Sequence, residues 1–245
     1  MRKSIAIFAF LMGASIASAQ TMKIHLSDGT TATYPAERVN YVEFIVDDTP
    51  GGNGNDYDNG HEYVDLGLPS GLLWATCNVG ANSPEEYGDY FAWGETEPKS
   101  DYNWITYFDT NDYGITFQKY NNNGGKKVLE SSDDAAHVNW GGSWRMPTRE
   151  EQDELLNECT WEWTTQNGVN GRKVTGPNGN SIFLPAAGGY GNSSLFDAGS
   201  EGDYWSSSLS AGDSSIAYSL YFDSDRVDWG NFIYRYYGLS VRPVR

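Results

Sequence analysis

The sequence predicts an α+β fold with an antiparallel sheet, two short helices and long loops, on three observations. Apolar and polar residues alternate over short runs, the period of a half-buried strand. Only two segments carry helix signals. The 28 glycines, with frequent Asn and Asp, interrupt the chain so often that long helices have no room. Strands that do not alternate with helices point away from a parallel βαβ sheet.

From the N-terminus, Arg2 and Lys3 precede an apolar run over residues 5–16, and Ala17-Ser18-Ala19 is a small-x-small cleavage pattern. Residues 1–19 are therefore expected to be a secretory signal peptide, with an apolar run too short to persist as a membrane span. No further long apolar segment follows, so no transmembrane segment is expected after cleavage. Residues 20–46 read as a small β unit: residues 22–34 alternate on both sides of Asp28-Gly29, a hairpin signal, and residues 39–46 supply a third strand-like run. Residues 47–60, rich in Gly, Asn and Asp, read as a flexible linker. The main domain is expected to cover residues 61–245, an ordinary domain size.

Inside it, strands are expected at residues 63–66 and 72–76, around the Pro69-Ser-Gly71 turn. A short helix is expected over residues 132–140, capped by Ser132 or Asp133. Thr148-Arg-Glu-Glu151 is a capping box, in which Thr accepts from the Glu151 amide while Glu151 reaches back, and it starts a second helix running to about Glu158. Strands follow at residues 173–175 and 181–184, then a C-terminal pair at residues 215–223 and 238–245. In the first of that pair Ile216, Tyr218, Leu220 and Phe222 fall on one face and Ala217, Ser219 and Tyr221 on the other.

The formal charge is −17, and removing residues 1–19 takes away Arg2 and Lys3 and no acid, which makes it −19. So acidic a chain repels phosphate backbones and anionic membranes, which argues against nucleic acid as a partner. Aromatic residues make up 15% of the chain, too many for a disordered one. Export makes Cys77 and Cys159 candidates for one disulfide, closing a loop of roughly 80 residues and worth about 4 kcal/mol. The alternative is two separate buried thiols.

Tyr, Trp, Asn, Asp and Gly are the residues binding surfaces use, because rings give contact area at low rotamer cost and small polar groups adapt their hydrogen bonds. They crowd the stretch after residue 204. The candidate ligand-binding residues are Trp205, Tyr221, Asp223, Asp225, Asp228, Trp229, Asn231, Tyr234, Arg235 and Tyr236. Tyr218 and Phe222 are assigned to the core, and Arg242 to anchoring the last strand through a carboxylate or carbonyl groups.

Other chemistries find little footing. His25, His61 and His137 are scattered without metal-ligand spacing, so neither a metal nor a cofactor is expected. Asp109-Thr-Asn-Asp-Tyr-Gly114 carries some positions of a calcium loop but has Tyr113 and Tyr120 where carboxylates are needed. Glu95 with Glu97, or Asp223 with Asp225, could form a glycosidase pair about 7 Å apart, though nothing marks either as desolvated. The glycine-rich segment Gly188-Gly-Tyr-Gly-Asn-Ser-Ser194 lacks the Lys-Ser/Thr of a phosphate loop and reads as a mobile loop. Ser206, Ser207 and Ser208 lack a Gly-x-Ser-x-Gly context.

Five segments carry a family resemblance: Tyr63-Val-Asp-Leu-Gly-Leu-Pro-Ser-Gly-Leu-Leu-Trp-Ala-Thr-Cys-Asn-Val-Gly-Ala81, Tyr87-Gly-Asp-Tyr-Phe-Ala-Trp-Gly-Glu95, Trp144-Arg-Met-Pro-Thr-Arg-Glu-Glu151, Tyr204-Trp-Ser-Ser-Ser208 and Gly238-Leu-Ser-Val-Arg-Pro-Val244. Together they resemble the Fibrobacter succinogenes major paralogous domain of exported Bacteroidetes proteins. More distantly, Arg145-Met-Pro-Thr-Arg-Glu-Glu151 is similar to a segment of formylglycine-generating-enzyme-like domains, which implies a C-type-lectin-like fold. The cysteine pair those enzymes use near the C-terminus has no counterpart, since no Cys follows position 159. The expectation is an exported, noncatalytic protein that presents its C-terminal face to a carbohydrate or protein ligand at a cell surface, in the periplasm or outside the cell. The alternatives are a structural or adhesive cell-surface subunit and a secreted carbohydrate-active enzyme.

Overall fold

In the computed structural model, which describes residues 21–25, 31–35, 56–110, 112, 116–229 and 233–245, the chain divides into two units, Met1–Pro50 and Gly51–Arg245. In the first, β1 (Thr21–His25) pairs antiparallel with β2 (Thr31–Pro35), with Lys23 opposite Thr33, as the alternation predicts. The expected signal peptide, the strand-like run at residues 39–46 and the linker up to residue 55 lie outside the described residues.

The second unit begins earlier than the sequence suggests. β3 (Asp56–Asp58) pairs with β4 (His61–Asp65) across Asn59 and Gly60, whose φ values are 48° and 84°. Residues 56–60 therefore close a hairpin of the main domain rather than ending the linker. The Asn-Gly pair signals this turn, because both central positions need positive φ and those residues tolerate it. β5 (Leu73–Ala75) completes the small sheet on the other side of β4.

Of the helices, α1 (Ala135–Trp140) starts three residues after the expected beginning, behind a 3-10 turn at Ser131–Asp133. Its cap is Asp134, not Ser132 or Asp133: the carboxylate accepts from the His137 amide at 3.0 Å and also from the Met146 amide at 2.9 Å. That carboxylate thus ties the start of α1 to the segment that leads into the second helix. The second helix, α2 (Arg149–Glu158), carries the expected box, with Thr148 Oγ1 accepting from the Glu151 amide at 3.3 Å and Glu151 accepting from the Thr148 amide at 2.8 Å. Arg145 adds a bidentate grip on Glu151, at 2.6 and 2.5 Å. Replacing Thr148 by Ala should lower stability by about 1 kcal/mol, read as a shifted urea midpoint; an unchanged midpoint would mean that Arg145 alone holds the helix start.

Three strands, β6 (Thr160–Gln166), β7 (Val169–Thr175) and β8 (Ser181–Pro185), form an antiparallel sheet whose first turn is again Asn-Gly, with φ of 49° at Asn167 and 86° at Gly168. The glycine-rich segment is ordered: β9 (Gly189–Gly191) pairs with β10 (Ser194–Phe196). The central sheet holds β11 (Gly202–Leu209), β12 (Ile216–Phe222), and β13 (Val227–Trp229) with β14 (Ile233–Tyr234), both on the same edge of β12.

This sheet is covered on both faces. Trp205 and Ala217 join one apolar cluster with Phe91, Trp93, Trp144 and Leu239, while Tyr204, Leu220 and Phe222 join another with Leu66, Trp74, Leu155 and Val244. The alternation of β12 therefore does not separate core from solvent: Ala217 and Ser219 are as buried as Leu220 and Phe222. The serines of β11 can line a buried strand because each finds a partner: Ser206 Oγ donates to Tyr218 O at 2.9 Å, Ser207 Oγ to Pro147 O at 3.3 Å, and Ser208 Oγ accepts from the Arg149 amide at 3.1 Å. Gly202 stands opposite Phe222, whose ring occupies the space where a Cβ would come within 2.1 Å.

The last segment, residues 238–245, is extended but is not the second strand of a pair. It bridges in turn to Tyr190, Phe91, Tyr204, Trp74 and Arg145. Arg242 lies fully buried within it, donating to the carbonyls of Ala75 at 3.1 Å and Thr76 at 2.8 Å and to Asn78 Oδ1 at 2.8 Å, so carbonyl groups do the anchoring. The expected disulfide is absent. Cys77 and Cys159 are free and half-buried, Cys159 at the C-terminal end of α2 and Cys77 in the loop after β5 beside Thr76. Burial raises both thiols, Cys159 to about 11, so both stay protonated.

Candidate functional site

The expected site residues fall into three groups. Two of them are core residues. Trp205 is fully buried and its indole donates to Phe91 O at 2.8 Å, so it frames the interior rather than meeting a ligand. Arg235 is also fully buried: Nη2 donates to Asp109 at 2.6 Å, Nε to the Tyr107 hydroxyl at 2.9 Å, and Nη1 to Tyr120 O and Ser214 O at 2.9 Å. The guanidinium lies 4.7 Å from the Trp93 ring and 4.5 Å from that of Phe117, a cation–π cage. Asp109 also accepts from the Lys119 and Tyr120 amides at 2.8 and 3.2 Å, which makes it an internal anchor and leaves the calcium-loop pattern without its first ligand.

A second group gathers at the β12–β13 turn. Asp223 accepts from the backbone amides of Arg226 at 2.9 Å and Asp225 at 2.8 Å, and those bonds hold its carboxyl down at about 2. Tyr221 donates to Asp223 at 2.8 Å and lies under the Arg226 guanidinium at 4.8 Å. Asp225 is exposed, and Asp228 is exposed opposite Tyr221. Asp223 thus shapes the turn. Trp229 pairs its backbone with Leu220, while its side chain and Asn231 lie outside the described residues.

The third group stands at the other end of β12, where Tyr234 pairs with Ile216. Six residues of strand separate Ile216 from Phe222, about 20 Å, so one small ligand cannot touch both groups. Here Tyr234 and Tyr236 stack at 5.7 Å with an interplanar angle of 14°, and Tyr236 and Tyr237 stack at 4.5 Å. Trp104 meets Tyr236 edge-on at 4.7 Å, Tyr234 at 5.7 Å and Phe117 at 5.6 Å. Burial, then the neighbouring Tyr237, pushes the Tyr236 phenol up, so it remains a neutral donor.

The face is rigidly carried. Trp104 sits in a turn in which Asn103 Oδ1 accepts from the Ile105 amide at 2.8 Å and Thr106 Oγ1 donates to Asp101 O at 2.7 Å. Tyr237 packs on Gly191, where a Cβ would approach its ring to 2.6 Å. Beneath, buried Arg235 fixes the chain between the two outward-leaning tyrosines. Tyr234 is 44% exposed, and Ile105 and Phe108 are 78% and 44% exposed in the same loop as Trp104. Trp104, Phe117 and Tyr237 were not among the residues expected from sequence, although Tyr102-Asn-Trp-Ile-Thr-Tyr-Phe108 holds four aromatics in seven positions. That density was the available signal.

Residues 68–245 match the Lcl C-terminal domain. The chain belongs to that family. The match covers almost all of the main domain, and the family is tied to the Fibrobacter and Bacteroidetes paralogous domains and associated with exported, surface proteins. Comparison with curated proteins and with solved structures returns no match. Among the described residues of this Lcl C-terminal domain and the unit before it, no helix is long and apolar enough to cross a membrane.

Proposed function

We propose that this Lcl C-terminal domain is a noncatalytic module of C-type-lectin-like architecture in an exported protein, and that Trp104, Tyr234, Tyr236 and Tyr237 form its ligand face, with glycans at a cell surface as the ligand. The observation that carries the proposal is the tyrosine stack with Trp104 at its edge, half-open to solvent and held from below by buried Arg235. Flat rings presented on a rigid support stack on sugar rings without paying to order themselves. The negative charge of the chain favours neutral or cationic glycans over sulfated or phosphorylated ones.

A protein ligand is the second reading, favoured by Ile105 and Phe108, whose exposed apolar surface a sugar does not need. A carbohydrate-active enzyme has less support. Asp223 is held at about 2, far from a general acid, and Glu95 is engaged by Lys99 at 2.7 Å and by the Phe108 amide at 3.1 Å.

A glycan array with the exported form of the protein tests the proposal. Binding is expected, and Tyr236→Ala or Trp104→Ala should weaken it by about 1–3 kcal/mol. Glycan binding lost in Tyr221→Ala but intact in Tyr236→Ala would move the face to the β12–β13 turn.

A further inference from the structure

A cavity of about 150 Å³ that shares no lining residue with the aromatic face stands between the β6–β7–β8 sheet and the chain that follows β5. Val64, Pro84 and Phe183 give it apolar walls, Ser181 gives it a hydroxyl, the Thr76 hydroxyl being engaged by Glu62 at 3.2 Å, and Lys173 lines it. The register pairs Lys173 with Phe183, so their side chains and that of Ser181 rise from one face of the sheet. The floor is firm: the Phe183 ring lies over Gly171, where a Cβ would come within 2.7 Å of it. Glu85 clasps the rim, accepting from Asn167 Nδ2 at 2.6 Å and Gln166 Nε2 at 3.4 Å, which ties the β6–β7 turn to the loop that carries Pro84.

Lys173 is the unusual member. In the main domain Lys99, Lys119 and Lys126 pair with carboxylates and Lys127 donates to Asn121 O and Asn122 Oδ1. Among the described residues Lys173 alone of these lysines has no ion pair or hydrogen bond, although Glu162 stands opposite it on β6 and acids outnumber bases two to one. An ammonium left unpaired beside an apolar cavity and the Ser181 hydroxyl is complementary to a carboxylate with a short apolar tail. A volume near 150 Å³ suits a tail of roughly benzene size or smaller. The overall negative charge opposes such a ligand, but charges beyond about 8 Å are screened at physiological salt, and the contact with the Lys173 ammonium has to outweigh only Glu162 opposite it and Glu85 at the rim.

We propose that this cavity binds a small aliphatic carboxylate through Lys173, with the tail against Val64 and Phe183. The same chemistry arises from a free short-chain acid or from the C-terminus of a peptide ending in an apolar residue. The test is an NMR titration of the full chain with butyrate, with butanamide, and with the tripeptide Gly-Ala-Val bearing either a free or an amidated C-terminus. Saturable shifts at Val64, Lys173 and Phe183 are expected with the free carboxylates and not with the amides; tighter binding of butyrate identifies a free acid, and tighter binding of the tripeptide a peptide end. Lys173→Met should raise the Kd by about tenfold or more with an unchanged melting curve, and Lys173→Arg should restore binding. No saturable shift with either carboxylate, equal shifts with the amides, or unchanged binding in Lys173→Met would overturn the proposal.

Discussion

Replacing Arg235 by Met should cost the domain about 3–5 kcal/mol of folding stability, because removing one partner of a buried ion pair strands the other. Asp109 would keep its amide donors from Lys119 and Tyr120 but lose its countercharge in a site from which water is excluded. The Tyr107 hydroxyl and the carbonyls of Tyr120 and Ser214 would lose their donors as well. Urea unfolding of the single variant and of Arg235→Met/Asp109→Asn separates charge from packing. The double variant should recover a large part of the loss, since it leaves no stranded charge. A single variant that costs less than about 1 kcal/mol would mean that the pair behaves as a solvated one. The same substitution should weaken the glycan binding proposed for the aromatic face, since Arg235 holds the backbone between Tyr234 and Tyr236.

Asp203→Asn is expected to act in the opposite direction, stabilising the domain at pH 8. Asp203 is 4% exposed on β11, its Oδ1 has no hydrogen-bond partner among the described residues, and the nearby charges of Glu201 and Asp197 are negative. Burial first, then those two carboxylates, raise its carboxyl from 3.8 to about 7. A folded-state value above the unfolded one means that the folded protein holds the proton more tightly. The contribution of Asp203 is fully present below pH 4 and is lost as pH rises to about 7. A rise from 3.8 to about 7 corresponds to about 4 kcal/mol, which is the upper bound on the gain from Asp203→Asn at pH 8. The window is distinct from that of Asp223, whose lowered value matters only below pH 4. Chemical denaturation across pH 4 to 8 checks the sign: the slope should flatten in the variant, and a variant less stable than the parent at pH 8 would show that the carboxylate has found a compensating partner.

Elements coded by neighbouring residues were legible in the sequence. The Thr148-to-Glu151 box starts α2 because both of its hydrogen bonds close within four residues. The β1–β2 hairpin follows from alternation about Asp28-Gly29, and Phe222 is core as expected, although the opposite face of β12 is buried too. The Asn59-Gly60 turn was equally local and was hidden by the polar linker-like composition around it. The tie to the Fibrobacter and Bacteroidetes paralogous domains was legible too, in short motifs distributed along the main domain.

What the sequence by itself determined about this protein is therefore its broad class, its local turns and the α2 cap, its acidity and the enrichment of its C-terminal stretch in ring-bearing residues. The tertiary structure alone decided which of those residues face solvent. Arg235 and Trp205 belong to residue types common on binding surfaces, yet their partners, Asp109 and Phe91, lie 126 and 114 positions away, and burial of a charge or an indole depends on such partners. β11 was invisible for the same reason, since a strand of serines buried on both faces shows no alternation and is tolerated only where distant groups complete its hydrogen bonds. The aromatic face joins Trp104 to Tyr236 across more than a hundred residues. Contacts of that separation are set by how the sheets and loops pack, which no local period in a chain encodes.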